Sequence, residues 1–342
     1  MSTNQKARNL NYDWIRVIAM LMVIMVHVPI KPFDSVAWLS KGFSTLLMTC
    51  NGLFFMLSGR LNLTKRIETK DDILLFYRKR FESIVIPFVI GTVLLTLWKL
   101  VGEGEPFTFL SFIKTVYRDL MGDNAGIHLW FMYELIGLLM ATPFLARMLQ
   151  GLDDSMLRLL LGISLGWNTV MVYLCSNLGV NFEYINWIFP RWSIHYFAGY
   201  ACFRLIHREQ EGKLFIIALI SFVLNVASMT LWPDRVTFSH DLAPLFILWC
   251  MGAFVFLERR IVWKPGLISG AVTWLSKYSY LIFIFHYAVL FDVVAVYIPS
   301  ALPMPVTFAV YTLSTLVLSL IVSIVVQWIL IKPLQILFRK IP

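Results

Sequence analysis

Residues 11–29 read NYDWIRVIAMLMVIMVHVP, and this stretch decides how we interpret the whole chain. The run is an apolar helix that begins with Asp13 and Arg16 and carries His27 near its far end. At 100° per residue, Arg16 and His27 point within roughly 20° of one another, and Asp13 lies about 40° from His27. Along the axis, Arg16 and His27 are roughly 16 Å apart. A titratable group inside a membrane-crossing helix is costly, so His27 is a functional candidate.

The composition indicates a membrane protein. Hydrophobic residues make up 59% of the 342 residues and charged residues only 14%, whereas soluble domains carry about 25% charged residues. The formal net charge is +9, but the charges fall in short loops between apolar runs, which is the pattern of membrane topology. The expected partner is therefore the lipid bilayer, and a nucleic-acid partner is excluded.

Apolar runs predict an all-α integral membrane bundle of about ten transmembrane helices, each about 20 residues long. No soluble domain fits between the runs, so residues 1–342 are expected to form a single membrane-embedded domain. The predicted spans lie near 13–30, 43–61, 82–101, 128–147, 156–176, 189–206, 214–232, 242–258, 274–298 and 305–331.

Lysine and arginine predict the orientation of this bundle. Segments rich in lysine and arginine alternate along the chain with loops that contain few of these residues. An even number of spans places both termini on one side of the membrane. The positive-inside rule assigns that side to the cytoplasm. We expect a multi-pass protein of the plasma or bacterial inner membrane. The basic segments are the N-terminus, 62–81, 147–158, 204–213, 259–264 and the C-terminal tail.

With that topology, one layer of polar residues lies at the cytoplasmic level and is cationic. Arginine binds phosphate oxygens with two parallel hydrogen bonds, so this layer suits a phosphorylated donor such as a coenzyme A ester. The alternatives are membrane anchoring by the basic residues and, for Arg16, simple neutralisation by Asp13. The candidate cofactor-binding residues are Arg16, Arg60, Arg78 and Arg80.

A second, mixed layer is expected toward the outer side. Aromatic surfaces stack on sugars and polar groups bind their hydroxyls, so this layer is a candidate acceptor-binding site. The alternative is an interfacial belt of aromatic and long charged side chains. The acceptor-binding candidates are His128, Trp130, Glu134, Arg191 and His195.

His27 is the strongest catalytic candidate, because a neutral imidazole can take a proton from a hydroxyl as general base. Asp13 and His286 are further catalytic candidates. The alternative is an imidazole that only satisfies a backbone carbonyl or a neighbouring span. The sequence has no GxSxG elbow and no metal-ligand spacing, and its four cysteines are isolated, so no metal site is predicted.

Five segments together resemble the acyltransferase 3 family of integral membrane acyltransferases. Their order along the chain, on successive predicted spans, makes the set specific. The segments are Asp13-x-x-Arg16 with His27; FFMLSG at 54–59; YRKR at 77–80 with Pro87; HLWF at 128–131 with Leu135, Ile136 and Pro143; and Ser276-x-x-Ser279-Tyr280 with Ile282 and His286. The chain departs from the late motif at Phe283 and Phe285, where Tyr and Leu are common in the family.

The resemblance implies transfer of an acyl group, often acetyl, from acyl-coenzyme A to a hydroxyl of a glycan or lipid-linked sugar. It assigns the catalytic role to His27, and donor binding to Arg16 and to Arg78 or Arg80. It implies no metal. The extracellular SGNH-type domain of some members has no counterpart here, so the membrane part would complete the transfer.

The sequence therefore predicts a membrane O-acyltransferase that uses acyl-CoA, foremost acetyl-CoA, with a second copy of the chain as a candidate partner. The rival hypothesis is a proton-coupled transporter or flippase for a glycan or small anion, with His27 as a proton relay. A third hypothesis is a non-catalytic factor in polysaccharide export.

Overall fold

The computed structural model describes residues 8–104, 108–122, 126–170, 192–232, 242–299 and 302–339, and these residues form helices and turns without a β-strand. The α-helices are α1 Leu10–His27, α2 Ala37–Asn62, α3 Lys70–Arg80, α4 Ile86–Glu103, α5 Phe109–Leu120, α6 Trp130–Gly151, α7 Asp154–Thr169, α8 Ser193–Leu205, α9 Arg208–Leu231, α10 Pro244–Val255, α11 Leu267–Ser276, α12 Ser279–Ala288, α13 Ala295–Tyr297, α14 Met304–Val326 and α15 Lys332–Arg339. A 3₁₀ turn covers Ile127–Leu129, and π-helical turns cover Phe81–Val85, Phe256–Arg260, Val289–Val294 and Gln327–Ile331.

Seven helical segments among the described residues are long and apolar enough to cross a membrane, which confirms the helical membrane class. They are Leu10–His27, Ala37–Asn62, Lys70–Glu103, Ile127–Gly151, Arg208–Leu231, Ser279–Tyr297 and Met304–Arg339. The three remaining predicted spans, 156–176, 189–206 and 242–258, fall on the shorter helices α7, α8 and α10. Part of the first two lies outside the described residues. The expected total of about ten spans and the cytoplasmic termini remain predictions.

The basic connection predicted at 62–81 is in part helical. Helix α3 begins at Lys70, and the helical run continues through a π turn into α4, so one segment extends from Lys70 to Glu103. Thr69 starts it with a capping box, in which its hydroxyl accepts from the Asp72 amide and the Asp72 carboxylate accepts from the Thr69 amide. The cap lets a charged sequence begin a helix before the apolar run.

The chain divides into two compact units. Unit 1 contains residues 1–22, 37–61 and 154–279, and unit 2 contains residues 23–36, 62–153 and 280–342. Helix α1 is continuous and its residues belong to both units, with Asp13 and Arg16 in unit 1 and His27 in unit 2.

Close backbone contact between α2 and α8 holds unit 1 together. A β-carbon at Gly59 would collide with the carbonyl oxygen of Tyr196, and a β-carbon at Gly199 would collide with that of Met56. Small residues that permit such contact are typical of helix packing in membranes, where dispersion and close approach replace the hydrophobic driving force.

In unit 2, α4 packs closely against α12. A β-carbon at Gly91 would press on the side chain of Ile284, and the Tyr280 hydroxyl donates to the carbonyl of Ile84 over 2.9 Å. Residues Ile282 and Ile284 are fully buried. These contacts fix the position of α12, which carries His286.

Lys31 satisfies the carbonyl groups at the end of α1. Its Nζ atom donates to the carbonyls of Met25 (3.0 Å), Val26 (2.9 Å) and Val28. The last carbonyls of a helix have no partner within the helix, so a cation placed there both bonds and complements the dipole. Burial lowers the pKa of Lys31 to about 8.

We expect Lys31→Met to lower the melting temperature of the purified protein by about 2 to 4 °C, because the variant loses the hydrogen bonds to the carbonyls at the end of α1, and a hydrogen bond contributes about 1 kcal/mol net. The loss should grow between pH 7 and pH 9.5. The folded protein releases the Lys31 proton near pH 8 and the unfolded chain near pH 10.5, so the wild type gains stability with pH across that window. Differential scanning fluorimetry in detergent measures both effects. Lys41→Met on α2 is the control, and an equal loss there would refute the capping role.

Candidate functional site

Three imidazole rings meet in unit 2. His27 ends α1, His128 lies in the 3₁₀ turn before α6, and His286 lies on α12. The ring of His286 is 5.1 Å from that of His27 and 4.9 Å from that of His128, centroid to centroid. Tyr287 closes the group, 5.5 Å from His27 and stacked on His128 at 5.3 Å. We call these four side chains the histidine cluster.

Backbone carbonyls determine which ring nitrogen of His27 carries its proton. Nδ1 of His27 is 2.8 Å from the carbonyl oxygen of Val23. A carbonyl only accepts, so in the neutral ring the proton is on Nδ1 and the lone pair is on Nε2. His27 is partly exposed, whereas His286 is fully buried. The cluster therefore offers the lone pair of a general base at Nε2 of a partly exposed His27.

His128 has the opposite arrangement. Its Nε2 atom is 2.9 Å from the carbonyl oxygen of Ile284, so the proton is on Nε2 and the lone pair is on Nδ1. Nδ1 is buried and has no hydrogen-bond partner among the described residues. An unsatisfied buried acceptor costs free energy, so this atom is suited to accept a hydrogen bond from a ligand.

Gly126 lies against the same edge of the His128 ring. A β-carbon at Gly126 would lie 2.8 Å from Cε1 and 3.0 Å from Nδ1 of His128. The backbone at Gly126 is extended, so glycine is required there for the close approach rather than for its conformation.

We expect Gly126→Ala to displace the His128 ring and to lower the acyl transfer that the family resemblance implies at least about tenfold, since overpacking of a close contact costs about 1–3 kcal/mol. The initial rate of transfer at saturating donor measures the effect. Gly137→Ala on α6 is the control, because its β-carbon would meet no atom within 4 Å. Equal rates for the two variants would contradict a role for the His128 edge.

A second polar group lies in unit 1 at the start of α1. The buried carboxylate of Asp13 is bound by Arg8 through two bonds of 2.6 and 2.7 Å, and the Ser276 hydroxyl donates to it over 2.9 Å. Hydrogen bonding to Asp13 raises the pKa of Arg8 above its usual value. Arg16 contacts the same carboxylate only once, through Nη1 at 3.3 Å. Two arginines share one carboxylate, so one positive charge is in excess.

Arg16 retains room for a ligand. About a third of its side chain, 34%, is exposed, and among the described residues Asp13 supplies its one hydrogen-bonded partner. Four of its five N–H donors are therefore available, which is what a phosphate group requires.

Arg60 is bound to other side chains of unit 1. Its Nε atom is 2.8 Å from a carboxylate oxygen of Glu258, and its guanidinium lies 3.6 Å above the ring of Phe203. Tyr12 donates to the same Glu258 oxygen over 3.1 Å. This network in unit 1 uses the charge of Arg60 within the protein, so its part in cofactor binding remains a prediction.

Arg78 and Arg80 belong to unit 2, where they border a cavity of about 660 Å³ with otherwise mostly apolar walls from α3, its π turn and α6. Arg78 donates to the Arg339 carbonyl over 3.1 Å and lies 3.9 Å from Glu82. The guanidinium of Arg80 lies over the ring of Phe76 at 5.2 Å. Both cations line an otherwise mostly apolar cavity, an arrangement that suits an amphipathic anion.

The other described acceptor-binding candidates lie on α6 and α8. His195 is fully buried in unit 1, where its ring stacks against Trp192 at 5.3 Å. Trp130 follows the 3₁₀ turn of His128 and is 38% exposed, and Glu134 is half-buried one turn further along α6. Arg191 lies outside the described residues. Among the described residues, no three His, Cys, Asp or Glu side chains have a geometry that could hold a metal ion.

The family comparison covers the helices that carry the histidine cluster and the helices that carry Asp13 and its partners. A family model described as an acyltransferase domain, of acyltransferase type 3, matches residues 9–328. The chain belongs to the acyltransferase 3 family. No curated protein and no solved structure matches it at a significant level. Acyltransferase 3 membership and the apolar helices together make the chain a multi-pass membrane protein.

The structure adds two residues to the candidates of this acyltransferase 3 chain. Tyr287 contacts the rings of both His27 and His128, and its position directly after His286 is the sequence signal that indicates it. Arg8 binds Asp13 more completely than Arg16 does. Its spacing of five residues before Asp13 is not a helical i,i+4 pair, so periodicity does not reveal it.

Proposed function

We propose that this protein is a membrane O-acyltransferase that moves an acyl group, foremost acetyl, from cytoplasmic acyl-CoA to a hydroxyl of a glycan or lipid-linked sugar. Membership of the acyltransferase 3 family supports acyl transfer. The observation that carries the mechanism is the 2.8 Å distance between Nδ1 of His27 and the Val23 carbonyl oxygen, which assigns the ring proton to Nδ1 and leaves the Nε2 lone pair for the base.

In the proposed reaction, Nε2 of His27 takes the proton of the acceptor hydroxyl as its oxygen attacks the thioester carbonyl. The new C–O bond forms, the C–S bond breaks, and the thiolate takes the proton from the His27 imidazolium to leave as free coenzyme A. General-base catalysis of this kind contributes about 10²–10⁴-fold to a rate.

The donor is proposed to bind through its phosphates to Arg16, whose charge exceeds what Asp13 neutralises. Arg78 and Arg80, which line the cavity in unit 2, are a separate proposal for donor binding. Arg60 is the weakest of these assignments because Glu258 already neutralises it. The role of Asp13 in this scheme is to orient Arg16 rather than to move a proton.

The acceptor is proposed to lie beside His128, whose Nδ1 lone pair can accept a bond from a second hydroxyl. Trp130, Glu134, Arg191 and His195 remain proposed acceptor-binding residues. The proposed location is the plasma or bacterial inner membrane with both termini in the cytoplasm, and a second copy of the chain remains a candidate partner.

The test uses purified wild-type protein in nanodiscs with radiolabelled acetyl-CoA and a lipid-linked glycan extract as acceptor. We expect the label to appear in the glycan fraction, with one free thiol released for each acetyl group transferred. Protein-free nanodiscs measure spontaneous transfer.

The rival transporter function predicts a different result. Sealed vesicles that contain the protein would then move the glycan or anion across the bilayer, with neither label transfer nor thiol release. That outcome would replace the acyltransferase proposal.

A further inference from the structure

Helix α12 places His286 against the nitrogen of His27 that carries the proton. The Nε2 atom of His286 is 3.4 Å from Nδ1 of His27. The other nitrogen of His286, Nδ1, is 2.6 Å from the carbonyl oxygen of Phe283. Because that carbonyl only accepts, neutral His286 is protonated on Nδ1 and has its lone pair on Nε2. This lone pair therefore faces the Nδ1 proton of His27.

We propose that His286 is a positioning residue, whose lone pair holds the proton of His27 on Nδ1 and so keeps Nε2 of His27 unprotonated as the base. This inference rests on the acyltransferase function proposed above. In a Ser-His-Asp triad, a carboxylate accepts the Nδ1 proton of the histidine and so fixes its tautomer. Here two uncharged acceptors, the Val23 carbonyl and His286, have that role.

The same two acceptors also stabilise the imidazolium form of His27 that arises during the reaction. When Nε2 of His27 takes the acceptor proton, the ring becomes an imidazolium, and its Nδ1–H then bonds to acceptors that are already in place. No proton leaves Nδ1 during the step. A ring held in the other tautomer would present an N–H to the acceptor hydroxyl and would lose the base, which costs about 10⁴-fold in a Ser-His-Asp enzyme.

Among the described residues, the side chains whose rings contact His27 and His286 carry no negative charge. His128 and Tyr287 are the ring neighbours, and Lys31, four residues after His27, is the nearby cation. Replacing His286 by a carboxylate should therefore have a large effect on the titration of His27, because it places a negative charge beside a ring whose described neighbours have none.

The test measures the reaction of His27 with diethyl pyrocarbonate, which modifies only the unprotonated ring, by peptide mass mapping across pH 5 to 9 in nanodiscs. His27 is partly exposed, whereas His128 and His286 are 4% and 0% exposed, so the reagent should discriminate between them. We expect His286→Glu to raise the pH midpoint of His27 modification by at least about one unit.

Acetyl transfer is the second readout. We expect His286→Gln, which retains an oxygen acceptor, to keep transfer within about tenfold of wild type, and His286→Phe, which has none, to lose about 10²–10³-fold. Phe285→Leu, next to His286 on α12, is the control that alters packing alone and should change neither readout. If His286→Phe does not fold, His286→Gln and His286→Glu still provide the comparison.

An unchanged midpoint in His286→Glu would overturn the positioning role, and so would a measurable transfer rate of His286→Phe equal to that of Phe285→Leu. The modification readout needs no acyl transfer. A shifted midpoint in a protein that transfers no acetyl group would therefore preserve the positioning of His27 and refute the proposed acyltransferase function.

Discussion

His27→Ala is expected to lower kcat for acetyl transfer by about 10³-fold, near the upper part of the range for loss of a general base. His27→Gln should lose as much, because an amide of similar shape has no basic nitrogen. The KM for acetyl-CoA should stay within about twofold of wild type in both variants, since the proposed donor contacts lie at other residues. Initial rates of label transfer against donor concentration separate the two constants.

Chemical rescue sharpens this prediction. Because His27 is partly exposed and the alanine variant leaves space where its ring was, added imidazole should restore part of the activity to His27→Ala. Rescue should increase with pH as imidazole loses its proton near its ordinary pKa of about 6.5–7.

His207→Ala is the matched control, since His207 is an exposed histidine at the start of α9 in unit 1 and has no role in the proposed reaction. It should retain wild-type kcat. Full activity of His27→Ala would remove His27 from the mechanism while leaving the acyltransferase assignment in place. A loss of donor binding without a change in kcat would instead give His27 a binding role.

Local periodicity predicted the first helix well. Asp13, Arg16 and His27 do lie on one helix, which begins at Leu10 and ends at His27, before Pro29. The family assignment from the ordered motifs is confirmed by the match to residues 9–328. Apolar run length predicted the membrane class because a bilayer imposes that length on each spanning helix.

Tertiary contacts were harder to predict. The sequence placed His27, His128 and His286 on three different spans but gave no means of bringing them together, because their sequence separations exceed 100 residues. The grouping of His195 with His128 in one layer stays a prediction, since His195 belongs to unit 1 and His128 to unit 2. Which face of one helix meets which face of another depends on side-chain shape, as at Gly59 and Gly199, and hydropathy contains no such information.

Helix ends within basic segments were predicted least well. Residues 70–80 are charged, so hydropathy assigned them to a connection, yet the Thr69 capping box begins a helix there. Lysine and arginine can extend their charged ends to water while their stems pack along apolar surface. The capping signal, Thr69 followed by Asp72, was present in the sequence and would have predicted this helix.

Arg16→Gln is expected to raise the KM for acetyl-CoA about 10- to 100-fold, since a charge-assisted hydrogen bond contributes about 1.5–3 kcal/mol. The physical reason is the excess charge at the start of α1. Arg8 already holds both oxygens of Asp13, so Arg16 is the cation that a phosphate can bind. The kcat should remain within about twofold of wild type, because Arg16 takes no part in the proton transfer. Arg66→Gln is the control, as Arg66 is 84% exposed and pairs with Glu68.

A donor without the nucleotide phosphates tests whether the contact that Arg16→Gln loses is a contact to phosphate. Acetyl-pantetheine has the reactive thioester but none of the nucleotide phosphates, so wild type and Arg16→Gln should use it with equal kcat/KM. Arg8→Gln should also raise the KM for acetyl-CoA, because Asp13 would then draw Arg16 into a tighter pair and leave less of its charge for the donor. An equal defect of Arg16→Gln with both donors would show that the arginine supports the fold of α1 rather than the phosphates.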